Sequence, residues 1–121
     1  MSPLLLLAVG MLGGAGTIGR VLLDRAITGR AGRDFPYGTL GVNVLGSFLL
    51  GILVGAAVRD DAFDLAATGL LGAFTTFSTW TLESHRLGQR GRPHLAATNL
   101  ALSLVLGLIA TWSGRRFGLM L

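Results

Sequence analysis

The sequence predicts an all-α membrane protein of four transmembrane helices, the third of them broken near its middle. Three observations carry this. Of the 121 residues, 51% are hydrophobic and only 13% charged, whereas a soluble domain carries roughly 25% charged residues. Four apolar blocks, about 3–23, 39–58, 65–84 and 94–113, each approach the ~20 residues that cross a hydrocarbon core as helix. The segments between them, "DRAITGRAGRDFPY", "RDDAFD" and "HRLGQRGRP", are short and rich in charge, Gly or Pro. The whole chain reads as one four-helix membrane domain, multi-pass in the cell membrane, with both termini on the same side.

The first block lacks a basic leading segment and runs directly into Arg20 and Asp24, so it reads as a membrane helix and not as a cleaved leader. It carries Gly10, Gly13, Gly14, Gly16 and Gly19, and the second block carries Gly41, Gly46, Gly51 and Gly55. Small residues let helix backbones approach closely in lipid, where apolar burial alone drives little association. The second block also holds Asn43 and, one turn later on the same face, Ser47. Pro36 and Pro93 precede the second and fourth blocks, where a missing N–H costs little.

The third block is the anomaly. "GAFTTFSTWT" (72–81) packs Thr75, Thr76, Thr79, Thr81 and Ser78 into what should be lipid-soluble helix. Gly69 and Gly72 precede this cluster, where a helix can break and expose backbone carbonyls. At mid-membrane, unwound carbonyls bind cations and half-helix N-termini bind anions. Phe74, Phe77 and Trp80 recur every three residues, and aromatic rings have positive edges that can contact a small anion. The fourth block aligns Asn99, Ser103, Gly107 and Thr111 at four-residue spacing, a polar or small stripe along one face.

Several classes drop out. Cys is absent, which removes disulfides and thiol chemistry. His85 and His94 flank a polar loop with no metal-ligand spacing, and no nucleophile–base pair suggests an enzyme. All ten basic residues are Arg and lie between apolar segments, so they read as membrane-flank charges and not as a nucleic-acid surface. A small four-span multidrug exporter needs a titratable carboxylate at mid-membrane, and no Asp, Glu, Lys or His lies there. A non-transporting membrane subunit would leave the polar stripes without purpose. Neutral hydroxyls and amides, by contrast, suit the desolvation of an anion. Four short helices enclose little volume, so a route through them needs walls from a second copy.

"GTIGR" (16–20), "GTLGVNVLGSFLLG" (38–51) and "GLLGAFTTFSTWTLE" (69–83) together resemble the Fluc (CrcB) fluoride channels, and the resemblance covers essentially the whole chain. It implies an antiparallel, dual-topology dimer with two pores that pass fluoride out of the cytoplasm. It also implies a structural Na⁺ at the dimer centre, held by the backbone carbonyls of Gly72 and Thr75. Asn43, Thr76, Phe77, Thr79, Trp80 and Ser103 would line the fluoride path, with Arg20 in the vestibule and Glu83 near the end of the polar track. One departure is Trp80, where the family has Phe. Another is the distribution of arginine. Arg25, Arg30, Arg33, Arg86, Arg90 and Arg92 lie in the first and third connections, against Arg59, Arg115 and Arg116 on the other side. That bias predicts termini outside, and a paired homologous subunit of opposite bias in preference to a second copy of this chain.

Overall fold

The structure, a computed structural model, describes residues 1–121, and every regular element in it is helical. Helix α1 (Pro3–Ala31) is capped by Ser2, whose hydroxyl oxygen accepts from the Leu5 N–H at 3.1 Å. It ends at Gly32, whose φ of 88° suits glycine better than any L residue. The helix outruns its apolar block by eight residues, Asp24 to Ala31. Within this extension Thr28 donates to Asp24 at 3.3 Å, and charged residues solvated at a membrane surface give a helix no reason to stop. Helix α2 (Tyr37–Gly55) follows Pro36, and α6 (Pro93–Gly118) has Pro in its first turn. These three helices are long and apolar enough to cross a membrane.

The remaining apolar block is a bent and interrupted helix. A short turn, α3 (Asp60–Phe63), leads into a π-helical stretch, Asp64–Leu71, and then into one α turn, α4 (Gly72–Phe74). Thr75 is extended, with φ −80° and ψ 158°, and helix resumes as α5 (Ser78–Gln89). Threonine makes the interruption cheap, because its hydroxyl replaces lost backbone partners. Thr76 Oγ1 does so by accepting from the Thr79 N–H at 3.2 Å, capping the new helix, while Thr75 Oγ1 adds a second bond, at 3.1 Å, to the Leu71 carbonyl that already accepts from the Thr75 N–H.

Glycine sets the packing. α2 lies along α6 with backbone against backbone. A Cβ on Gly51 or Gly55 would strike the main chain at Thr111–Arg115, and one on Gly114 or Gly118 the main chain at Phe48–Ala56. α1 packs on the interrupted helix in the same way, Gly16 facing the Leu70 carbonyl and the Phe74 nitrogen. Arg20 reinforces this contact, its Nε–H donating to the Ala73 carbonyl at 3.3 Å. Leu4, Leu7, Met11 and Leu22 of α1 and Leu104, Leu108 and Trp112 of α6 remain exposed, as faces turned to lipid or to another subunit do.

Candidate functional site

A groove of about 430 Å³ opens on one flank of the bundle, between the helix break, α2 and α6. Its walls gather residues far apart in sequence: Asn43 and Ser47 from α2, Thr76, Phe77 and Trp80 from the break and α5, and Ser103, Gly107 and Thr111 from α6. Gly72 and Thr75 border it as well. Five of the six residues expected on an anion path are therefore together. The sixth, Thr79, stands behind the wall, where its hydroxyl accepts from Thr76 Oγ1 at 3.1 Å.

Asn43 holds the break open. Its Oδ1 accepts from the Thr76 N–H and its Nδ2–H donates to the Thr76 carbonyl, both at 2.8 Å. In an uninterrupted helix the Thr76 N–H would return to the Gly72 carbonyl. Its diversion to Asn43 frees that oxygen. One amide hydrogen of Asn43 remains for the groove, since a carboxamide nitrogen carries two.

The aromatic residues divide at the break. Phe77 and Trp80 meet edge-to-face, with ring centroids 5.2 Å apart and planes at 71°, and Phe77 is 73% exposed along the groove. Phe74 precedes the break and turns the other way, packing against α1 and α2 near Gly19 and Gly46. The indole N–H of Trp80 points away from the groove and donates to the main-chain oxygen of Asn99 at 3.3 Å.

The α6 stripe is split in the same sense. Ser103, Gly107 and Thr111 border the groove, whereas Asn99 is 1% exposed and lies between α5 and α6. There its amide donates to Ser84 Oγ at 2.8 Å. Arg20 and Glu83 border no part of the groove. Glu83 lies at one end of the bundle, where it accepts from the Thr39 hydroxyl and lines a second, arginine-rich basin of about 560 Å³. Thr39 carries no signal in the motifs of the third block. It does sit four residues before Asn43 on the same face of α2, so the face reads Thr39, Asn43, Ser47.

The profile of the family described as "CrcB-like protein, Camphor Resistance (CrcB)" matches residues 7–115. The chain belongs to the CrcB family. This CrcB chain is 49% identical over 109 residues to "Fluoride-specific ion channel FluC 2" of Mycobacterium tuberculosis strain H37Rv, covering 90% of this chain and 86% of that one. It is 45% identical over 116 residues to "Fluoride-specific ion channel FluC 1" of Symbiobacterium thermophilum, covering 91% and 94%. With "Fluoride-specific ion channel FluC" of Geobacter sulfurreducens the identity is 41% over 114 residues, covering 90% and 92%. The groove is accordingly a feature of a CrcB protein with several membrane-spanning helices.

Proposed function

We propose that the chain is the subunit of a fluoride-selective channel of the cell membrane, a passive conductor and not an enzyme. The observation that carries this reading is the groove wall at the helix break. There Asn43 offers an amide hydrogen and Phe77 a ring edge, beside the Thr76 and Ser103 hydroxyls, whose protons rest on Thr79 and Asn99 and have to turn to reach an anion, with no fixed negative charge among them. Fluoride is small and strongly hydrated, so a pore has to replace its water with several donors at once. The names carried by relatives at 41–49% identity support the same ion.

The finer features of the proposal follow from the groove's position. It lies open on the flank of a single chain, so a second subunit has to close it. We read the partner as antiparallel, giving two equivalent pores and export of fluoride down its gradient. The bent helix counts as the fourth crossing. The arginine bias favours a homologous partner of opposite orientation over a second copy. A structural Na⁺ would be held by the main-chain carbonyls of Gly72 and Thr75 and would neutralise carbonyl dipoles where two breaks face each other. Supporting the fit, the Thr76 N–H is diverted from the Gly72 carbonyl to Asn43, and no cluster of His, Asp or Glu competes as a ligand set.

The deciding experiment is fluoride efflux from liposomes containing the purified chain alone, followed with a fluoride electrode. Fluoride efflux without matching chloride efflux is expected if this chain suffices. No efflux from the chain alone, restored by a homologous partner, supports the paired assembly. Equal fluoride and chloride efflux overturns the proposal.

A further inference from the structure

Asn99 is nearly completely buried yet contributes nothing to the groove surface. Its hydrogen bonds nonetheless run between two groove residues, and their polarity is fixed by elimination. The Ser84 hydroxyl donates its one proton to the Trp80 carbonyl at 2.9 Å. Ser84 Oγ can therefore only accept from Asn99, which turns the Asn99 NH₂ toward Ser84 and its Oδ1 toward α6's next turn. There Ser103 lies 3.4 Å away, and with Oδ1 as acceptor the proton has to come from Ser103. The direction is thus Ser103 to Asn99 to Ser84 to Trp80.

This leaves Ser103 facing the groove with lone pairs and not with its proton. An anion that takes a hydrogen bond from Ser103 has to detach the hydroxyl from Asn99, leaving Asn99 Oδ1 buried without a donor, which is costly. The link is also the one best placed to give. Among groove hydroxyls, Thr75 and Thr76 donate at 3.1 Å and Thr111 at 2.9 Å, against 3.4 Å for Ser103. The usual refuge of a helical serine proton, the carbonyl four residues back, is closed. That carbonyl belongs to Asn99, and its two lone pairs serve the helix ladder and the Trp80 indole.

We propose, building on the channel reading above, that Asn99 is a positioning residue that sets ion specificity by sequestering the Ser103 proton. Only an anion that is a strong hydrogen-bond acceptor recovers the cost of drawing that proton into the groove. Fluoride does so. Chloride, larger and a weaker acceptor, does not.

The test compares fluoride and chloride efflux from liposomes for wild type, Asn99→Leu, Ser103→Ala and the double variant, with thermal unfolding of each in detergent. Asn99→Leu abolishes the acceptor and releases the Ser103 proton, so chloride efflux relative to fluoride should rise on the order of tenfold. The rise should vanish when Ser103→Ala is added, because the effect passes through that hydroxyl. Should Asn99→Leu fail to assemble, Ser84→Ala reads the same circuit. Without Ser84 to accept its NH₂, the Asn99 amide is free to reverse, and the ratio should move in the same direction. A lowered melting temperature with an unchanged ion ratio overturns the proposal, as does a ratio that shifts equally with and without Ser103. Absence of fluoride flux in wild type overturns instead the channel reading on which the proposal rests.

Discussion

Asn43 and Thr76, 33 residues apart, exchange two hydrogen bonds of 2.8 Å, so that one side chain stands in for the backbone partner the broken helix has lost. The amide is thereby both a structural bracket and, through its remaining N–H, a donor to the groove. Asn43→Asp keeps the acceptor for the Thr76 N–H but sets a carboxylate oxygen against the Thr76 carbonyl. It also adds a fixed negative charge on the anion's route. Fluoride efflux should fall by at least about tenfold, and wild-type efflux from this variant would remove Asn43 from the path.

Phe77 lies along the groove with Trp80 behind it. Phe77→Ile removes the polarised ring edge while keeping an apolar side chain of comparable reach. The change in stability should be about 1 kcal/mol or less, the scale of one aromatic pair. The fluoride rate should nonetheless fall by about an order of magnitude, since the ring's contribution is to the permeating ion. Stopped-flow efflux paired with a melting curve separates the two, and an undiminished rate is the outcome that excludes ring-edge contact.

Thr39 and Glu83 meet at the end of the bundle, the hydroxyl donating to the carboxylate. Thr39→Val is close to isosteric and takes away that donor alone. The destabilisation should be about 1–3 kcal/mol, the cost of a partly buried carboxylate losing a partner, and Thr39→Ser should restore wild-type behaviour. Equal melting temperatures for the Val and Ser variants would show that the bond carries no weight.

Gly114 faces the Phe48 carbonyl and the Ile52 nitrogen with no room for a methyl group. Gly114→Ala should therefore lower stability by about 1–3 kcal/mol through overpacking. Gly10→Ala, where a Cβ meets nothing within 4 Å, is the matched control. The melting temperatures of the two variants in the same detergent check this, and equal values would refute the backbone contact.

Much of this arrangement is legible in the sequence because the signals are local. Gly72 followed by Thr75, Thr76 and Ser78 marks a helix that cannot continue, and the break occurs at Thr75. The long apolar runs mark α1, α2 and α6. What escapes the sequence is rotation. Phe74, Phe77 and Trp80 share one face of an ideal helix, but the extended Thr75 resets the register and turns Phe74 away from the other two. Asn99 and Ser103 share a stripe, yet a stripe has width. Asn99 falls on its α5 side and Ser103 on its groove side. Glu83 is visible as a charge at the end of a span, while its partner Thr39 is 44 residues away and hidden in an otherwise unremarked first turn of α2.

The seam between α2 and α6 has one further consequence. Asn43 stands on α2 and Ser103 on α6, and beyond the groove these two helices meet through main-chain atoms at Gly51, Gly55, Gly114 and Gly118. No rotamer intervenes at those four contacts, so no side-chain motion can widen the seam there. The bundle works as a fixed caliper, and the gap it measures is copied from the dimensions of the peptide backbone itself.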